Sequence, residues 1–81
     1  MEKLITASGR VFECGYYSKI SDPSRLYIRI ANATIGDIAT AFSSASETAK
    51  LTISGVTFDG FTKLLAIVPE DNLVRVTLTK E

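Results

Sequence analysis

Apolar and polar residues alternate along the first third of the chain, which is the pattern of β-strands with one buried face. Residues 3–7 form a short β-prone run that ends at the Ser-Gly pair of residues 8–9, a two-residue hairpin signal. Residues 10–20 predict a second strand, and residues 21–24 predict the turn after it, because proline presets φ at the second position of a turn. Residues 26–30 alternate most regularly and predict the third strand.

The spacing of apolar residues then changes from two to that of a helix, so the sequence predicts a short helix around residues 35–45. Thr34 and Asp37, three residues later, resemble a capping box. The hydroxyl of such a pair accepts from first-turn amides, and the carboxylate favours the positive end of the helix. Asn32 is the alternative cap. Residues 45–49 are predicted to leave the helix as a loop.

The stretch of residues 51–68 contains two turn signals, Ser54-Gly55 and Asp59-Gly60. Chain reversal at both would leave a middle strand of three residues, which is uncommon away from sheet edges. The preferred interpretation is therefore a turn at Ser54-Gly55 and a β-bulge at Asp59-Gly60, within one long strand that ends near residue 68. Such a bulge turns Phe61 toward the core. A tight reversal at Asp59-Gly60 is the alternative.

The end of the chain predicts one more turn and one more strand. Residues 69–72 form the turn, and residues 73–79 alternate apolar and polar side chains up to the end of the strand. All connections are short, which favours antiparallel pairing. The sequence therefore predicts a single α+β domain over residues 1–81, a mainly antiparallel β-meander or half-barrel of about six strands with one short helix.

Residues 64–68 are apolar on both faces of their predicted strand. A domain of this size with one helix covers only one face of that strand, so the other face is a candidate subunit interface. We therefore expect a homo-oligomer, with Leu64, Ala66 and Val68 at the interface.

The composition restricts the chemistry that the chain can perform. It has 81 residues, nine basic and nine acidic, no histidine, and Cys14 as its one cysteine. These counts exclude an intramolecular disulfide and a Cys/His metal cluster, and they remove the usual general base. Cys14 lies in a strand pattern and is predicted to be a small buried hydrophobe rather than a reactive thiol. The sequence therefore predicts a protein that is not an enzyme and that uses no metal or other cofactor.

The charge pattern and the apolar runs restrict the partners. Basic and acidic residues cancel, and neither sign forms a block, so direct binding to duplex nucleic acid is not expected. No apolar run reaches the length of a signal peptide or of a membrane span. We therefore expect an intracellular protein that does not contact membranes.

Arginine and tyrosine residues are the candidate binding groups. Two tight turns end in Arg10 and Arg25, and the amides and hydroxyls of such turns, with a guanidinium, can hold a phosphate or carboxylate. A solvated hairpin tip is the alternative interpretation of both. Tyr17 and Tyr27 lie beside outward-facing residues such as Arg29 on neighbouring predicted strands, where their rings can stack on a ligand or contact a protein.

The order of these segments is similar to that of a known group. The chain has an opening hairpin LITASGRVFE, a helix IGDIATAFSS, the stretch LTISGVTFDGFTKLLAIV and a last strand DNLVRVTLTKE. This order resembles small uncharacterised proteins encoded by phages and prophages of Gram-positive bacteria, often in or beside tail-gene clusters. The resemblance covers nearly the whole chain, and it includes no catalytic or ligand motif to transfer.

The resemblance implies two roles. The first is a non-enzymatic, homo-oligomeric antagonist of host defence in the host cytoplasm, which binds an immune effector protein or sequesters a small nucleotide signal. The alternative is a virion or tail-assembly component that adds its edge strands to neighbouring subunits. For the first role, the expected ligand-binding or partner-binding residues are Arg10, Tyr17, Arg25, Tyr27, Arg29 and Lys63.

Overall fold

A computed structural model describes residues 2–18 and 22–80, and these residues form seven strands and two short helices. The strands are β1 (Glu2–Ile5), β2 (Val11–Tyr17), β3 (Arg25–Ala31), β4 (Lys50–Ile53), β5 (Val56–Asp59), β6 (Lys63–Glu70) and β7 (Leu73–Thr79). The helices are α1 (Ile35–Phe42) and α2 (Ala45–Thr48).

All seven strands belong to one sheet in the order β5-β4-β1-β2-β3-β7-β6, and every neighbouring pair is antiparallel. The N-terminal strands β1, β2 and β3 form a meander, with the β4–β5 hairpin on one side and the β6–β7 hairpin on the other. The sheet is open, with β5 and β6 at its edges. The predicted α+β class with an antiparallel meander is therefore confirmed, with one strand and one helix more than expected.

The core lies on one face of this sheet, under α1. Strand residues alternate between this core face and the opposite face, which we call the outer face. From α1, Ile38, Ala41 and Phe42 close over the core, and the rings of Phe12 and Phe42 lie 5.5 Å apart. Burial of such apolar side chains, at about 25 cal/mol per Å² of apolar surface, is the main force that holds a helix this short in place. The strands contribute Leu4, Phe12, Cys14, Leu26, Ile28, Ile30, Leu51, Ile53, Val74, Val76 and Leu78.

The predicted helix cap is correct, but the predicted end of the helix is wrong. The Thr34 hydroxyl accepts a hydrogen bond from the Asp37 amide at 3.2 Å, as a capping residue does. Asn32 is not the cap, because its side chain donates to Glu13 on β2. The helix ends at Phe42, since Ser44 adopts an extended backbone conformation, and residues 45–48 form α2 where a loop was predicted.

Of the two predictions for the Gly-containing pairs of residues 54–60, one is confirmed and the other is wrong. Ser54 and Gly55 both have positive φ angles, 50° and 81°, and they close the β4–β5 hairpin as predicted. The bulge at Asp59-Gly60 is wrong, and so is the tight reversal, because β5 ends at Asp59 and the chain crosses to the opposite edge of the sheet before β6 begins. The chain leaves the β4–β5 pair at Gly60, which has a positive φ of 83°. The Gly60 amide donates a hydrogen bond to the Ala49 carbonyl at 2.9 Å. Phe61 is only 4% exposed, so its predicted burial is confirmed.

Aromatic rings pack together near residues 60–62, which connect β5 to β6. Phe58 on β5 packs edge-on against Tyr16 of β2 at 5.3 Å and against Phe61 at 6.2 Å. The Lys80 ammonium lies 5.2 Å from the centre of the Phe61 ring, which is the geometry of a cation–π contact. These contacts connect the edge strand β5 to β2 at the centre of the sheet.

A bulge does occur in β6, but at Leu65 rather than at Asp59-Gly60. The pairing of β6 with β7 shifts by one residue between Leu64 and Ala66. As a result, Leu64 lies opposite Leu78 and packs against the core, whereas Ala66 and Val68 lie opposite outward-facing residues of β7. The three residues predicted to share an interface are therefore divided between the two faces of the sheet.

Other strand limits differ from the prediction by a few residues. The first hairpin turns at residues 7–8, and Gly9, at φ 95°, follows as the bulged residue. The second strand ends at Tyr17, and the remainder of its predicted range includes residues 19–20, which lie outside the described chain. The last turn is Asp71-Asn72, because β6 continues through Pro69, as an edge strand can.

Candidate functional site

The outer face carries a hollow beside the tyrosine and arginine residues that the sequence singles out. Strand register brings its members together: Gly15 lies opposite Arg29, Arg29 lies opposite Arg75, and Tyr17 lies opposite Tyr27. We call this site the Tyr–Arg hollow. It has a volume of about 310 Å³ and is lined by Gly15, Tyr16, Tyr17, Tyr27, Arg29 and Arg75.

Gly15 creates the space. A Cβ atom added at this position would have no neighbour within 4 Å, so the volume that a side chain would occupy is open. Glycine normally weakens a strand interior, and one often marks a site where a ligand or another backbone comes close. The floor of the hollow is therefore bare backbone, which a flat group can approach closely.

Two tyrosine rings form one wall of the hollow. Tyr17 and Tyr27 are stacked with their centres 5.3 Å apart and their planes 16° apart, and Tyr17 is 52% exposed. Tyr27 is half-buried and is hydrogen-bonded to the Arg25 side chain. This bond and the charge of Asp22, whose carboxylate is 3.2 Å from the Arg25 guanidinium, raise the pKa of Arg25. Arg25 thus fixes the tyrosine wall and does not line the hollow.

Two guanidinium groups form another wall. Arg29 and Arg75 are both exposed and lie directly opposite each other on β3 and β7. Like charges in this position destabilise a sheet unless an anion lies nearby. Arg75 contacts Glu70 at 3.7 Å, whereas Arg29 has no ion-pair partner within residues 2–18 and 22–80. The site therefore places two guanidinium groups beside an aromatic wall, and of the two only Arg75 has an ion-pair partner in the described part of the chain.

Arg29 also borders a second hollow of about 340 Å³, lined by Glu70, Asp71, Asn72 and Leu73. Its guanidinium is thus accessible from two sides of the outer face. A guanidinium presents several N–H donors in a fixed plane and binds phosphate or carboxylate through two parallel hydrogen bonds.

The other predicted binding arginine, Arg10, has an internal partner. The carboxylate of Glu47 on α2 accepts from the Ser8 amide at 3.1 Å, and its other oxygen lies 3.9 Å from the Arg10 Nε. The pKa of Glu47 is lowered, first by a hydrogen bond with the Ser8 side chain and then by the Ser8 amide, the charge of Arg10 and Thr6, while burial opposes the shift. The first turn does bind a carboxylate, as its residues predict, but the carboxylate belongs to the chain itself.

Lys63 lies at the start of β6, opposite Thr79, and is exposed. It does not line the Tyr–Arg hollow. The structure therefore brings together three of the six predicted binding residues: Tyr17, Tyr27 and Arg29.

Sequence reasoning missed two members of the hollow, Gly15 and Arg75. Both were recognised only as outward positions in their strands. Their significance depends on the pairing of β3 with β7, which are separated by more than 40 residues of chain. The available signal for the hollow was a glycine at an outward strand position, between the outward residues Glu13 and Tyr17.

The side chains that line the hollow are aromatic rings and guanidinium groups. Among the described residues that line it, none is a carboxylate or a thiol. Cys14 lies on the core face of the same strand, and burial, followed by the charge of Glu2, raises the pKa of its thiol to about 11. A thiol in this state is a poor nucleophile at neutral pH.

Within residues 2–18 and 22–80, no three acidic or cysteine side chains come close enough together to bind a metal ion. None of the helices formed by these residues is long and apolar enough to cross a membrane.

Comparison with protein-family models, with curated proteins and with solved structures gives no match to this chain. The similarity to phage and prophage proteins therefore stays a prediction from the order of its segments.

Proposed function

We propose that the protein is a non-enzymatic binding protein that takes a nucleotide-class ligand on the outer face of its sheet. The planar base of the ligand enters the space over Gly15, beside the Tyr17–Tyr27 wall. Its phosphate is bound by Arg29, with Arg75 as the second cation.

The paired guanidinium groups carry this proposal. Two guanidinium groups directly opposite each other, Arg29 and Arg75, repel. The Glu70–Arg75 ion pair offsets part of this repulsion, and an anion bound to Arg29 would offset more of it. Stacking of a base on an aromatic side chain is worth about 1–3 kcal/mol. A neutral aromatic molecule would contact only the tyrosine wall, and a simple anion would contact only the arginine pair. A nucleotide would contact both.

The role in host defence follows from the ligand class and the phage resemblance together. A protein that sequesters a nucleotide signal needs affinity and no catalytic group. An immune effector protein is the other partner expected for this role, and it would use the exposed Tyr17 ring as an anchor at the same face.

The test is ligand binding measured by isothermal titration calorimetry and by thermal shift. The panel contains a mononucleotide, ADP-ribose, a cyclic dinucleotide and inorganic phosphate. We expect the nucleotides to bind and to raise the melting temperature, and phosphate alone to bind more weakly because it lacks a base.

Two variants test whether the ligand binds in the Tyr–Arg hollow. Arg29→Gln removes the unpaired charge and should weaken binding about 10-fold to 100-fold, since a hydrogen bond to a charged group contributes about 1.5–3 kcal/mol. Gly15→Val places a branched side chain in the hollow and should abolish binding. Its Cβ fits without a clash, because no atom lies within 4 Å of that position, and valine is favoured in strands. Lys50→Gln is the matched control, because Lys50 is an exposed cation on β4, outside the hollow. Equal affinity of Arg29→Gln and Lys50→Gln for the ligand, or no binding of any nucleotide, would contradict the proposal.

A structural role in a virion is the second candidate, and the edges of the sheet favour it. Strands β5 and β6 end the sheet on its two sides, and each can accept a strand from a neighbouring subunit. This role predicts that the protein purifies with phage particles, and mass spectrometry of particles that repeatedly lacks the chain would exclude it.

A further inference from the structure

The edge strand β6 has the pattern of a self-complementary surface. Its outer side has no partner strand within residues 2–18 and 22–80, so it presents unpaired backbone groups. Leu65 and Val68 on this strand are 43% and 36% exposed. An edge that combines free backbone groups with apolar side chains is a site for strand addition.

The register of β6 on β7 defines seven ladder positions, because Leu65 is the extra residue of the bulge. These positions alternate between outer face and core face, begin and end on the outer face, and have Ile67 at the middle. Two antiparallel copies of β6 can therefore pair about a twofold axis at Ile67, with all opposed side chains on matching faces. Lys63 then lies opposite Glu70 of the second copy, and Ala66 lies opposite Val68.

The charges at the ends of this ladder are complementary. Lys63 begins the strand and Glu70 ends it, so the twofold axis produces two Lys–Glu pairs. Glu70 Oε1 lies 3.7 Å from Arg75 within the chain, and its other oxygen remains for the lysine. Opposite charges directly across an antiparallel pair stabilise it, by the rule that makes like charges unfavourable.

The other edge of the sheet lacks this complementarity. Strand β5 has four residues and a single charged side chain, Asp59. Pairing of two β5 strands offers no cation to Asp59. Pro69 has no amide hydrogen, so in the β6 pair it contributes only its carbonyl, and the hydrogen-bonded ladder is concentrated around Ile67.

We infer that the chain forms a homodimer in which the two β6 strands pair antiparallel about a twofold axis at Ile67, with Lys63 of each copy opposite Glu70 of the other. The pairing joins two seven-stranded sheets into one. Since opposed residues keep their faces, the Tyr–Arg hollows of both copies lie on the same side of the joined sheet. The two Arg75 strands are three interstrand spacings apart, about 15 Å.

Charge reversal in one residue at a time tests this register. Lys63→Glu alone creates two Glu–Glu pairs in the homodimer, and Glu70→Lys alone creates two Lys–Lys pairs. Each variant should be monomeric where the wild type is dimeric, as measured by light scattering over a concentration series. An equimolar mixture of the two variants restores two Lys–Glu pairs and should form a heterodimer.

Cysteine crosslinking supplies the second measurement. A mixture of Ala66→Cys and Val68→Cys chains should crosslink to a dimer on mild oxidation, because these positions are opposed across the axis. Thr57→Cys on β5 is the control and should remain monomeric.

Three results would overturn the inference. The first is a strictly monomeric wild type at its highest soluble concentration. The second is dimerisation of Lys63→Glu or Glu70→Lys alone as strong as that of the wild type. The third is efficient crosslinking of Thr57→Cys together with none between Ala66→Cys and Val68→Cys, which would assign the contact to β5.

Discussion

At the scale of single residues, the outer face combines a missing side chain with an unbalanced charge. Gly15 leaves open volume, and the guanidinium groups of Arg29 and Arg75 lie across from each other beside it. Both features reduce the stability of an isolated sheet. The proposed ligand site accounts for both residue types in one small region of the surface.

The outward positions of Tyr17, Tyr27 and Arg29 could be predicted, because a period of two assigns each strand residue to a face. The contact between residues on different strands could not. Gly15 gains its meaning from Arg29 across the β2–β3 pair, and Arg75 from Arg29 across the β3–β7 pair. Local pattern contains no information about which distant strand becomes the neighbour.

Cys14 provides a prediction at the residue scale. Its thiol is fully buried, and its pKa of about 11 keeps it protonated at neutral pH. We expect no labelling of the folded protein by a thiol reagent at about pH 8, the unfolded pKa being near 8.5, and complete labelling in denaturant. Rapid labelling of the native protein would contradict the buried placement.

The raised pKa of Cys14 makes the stability of the folded protein depend on pH. Because the folded pKa of Cys14 lies above the unfolded one, the stability that it contributes is present below about pH 8.5 and is lost as pH rises toward about 11. Urea unfolding of wild type and Cys14→Ala across this pH range measures the difference, which should narrow at high pH.

At the scale of elements, α2 connects the first hairpin to the rest of the domain. Its residue Glu47 accepts hydrogen bonds from Ser8 and Thr6 and lies near Arg10, and the Glu47 carbonyl accepts from the Ala7 amide at 3.0 Å. The four-residue helix is too short to be stable alone. Its contacts with the hairpin explain why residues predicted as a loop are helical.

Glu47→Gln tests this connection. The pKa of Glu47 is lowered, first by the hydrogen bond from Ser8, so its contribution to stability is present above the unfolded pKa of about 4.3 and is lost as pH falls through the folded value. We expect the variant to melt at a lower temperature than wild type at pH 7, and the difference to shrink in acid.

Glu2→Gln is the control for this experiment, because Glu2 is an exposed glutamate of the N-terminal hairpin, whereas the Glu47 side chain is mostly buried against it. Its melting temperature at pH 7 should stay close to that of wild type. A Glu47→Gln protein as stable as wild type at neutral pH would show that α2 does not hold the hairpin.

The two turn signals of residues 54–60 show which features of strand connection can be predicted from local sequence. Ser54-Gly55 forms a hairpin turn because both residues tolerate positive φ and the flanking strands pair directly. Asp59-Gly60 has the same local chemistry, and Gly60 also has a positive φ, but the next strand pairs with β7 at the far edge. A turn signal therefore identifies a change of direction and not the strand that follows it.

At the scale of the whole molecule, the N-terminal strands form the centre of the sheet, and the later strands of the sequence form its two sides. Strands β1, β2 and β3 pair in sequence, and the later strands are added on both sides, so that β5 and β6 are consecutive in sequence and stand at opposite ends of the strand order. The class of fold could be predicted from the short connections and the single main helix. The order of strands could not, because it depends on which apolar faces close over α1.

This arrangement separates two surfaces. The Tyr–Arg hollow lies on the outer face at the centre of the sheet, and the self-complementary β6 strand lies at an edge. A ligand in the hollow and a second copy at the edge therefore occupy different places, although the Glu70–Arg75 ion pair connects the two surfaces.

The most direct test of the Tyr–Arg hollow as a binding site is an NMR titration of the labelled protein with ADP-ribose and with a cyclic dinucleotide. It reports the location of binding without any substitution. We predict that the amide signals of Gly15, Tyr17, Tyr27, Arg29 and Arg75 shift together and that the signals of the Ser8–Arg10 turn do not. Shifts centred on that turn or on another surface, or no shifts at millimolar nucleotide, would contradict the assignment of the Tyr–Arg hollow as the binding site.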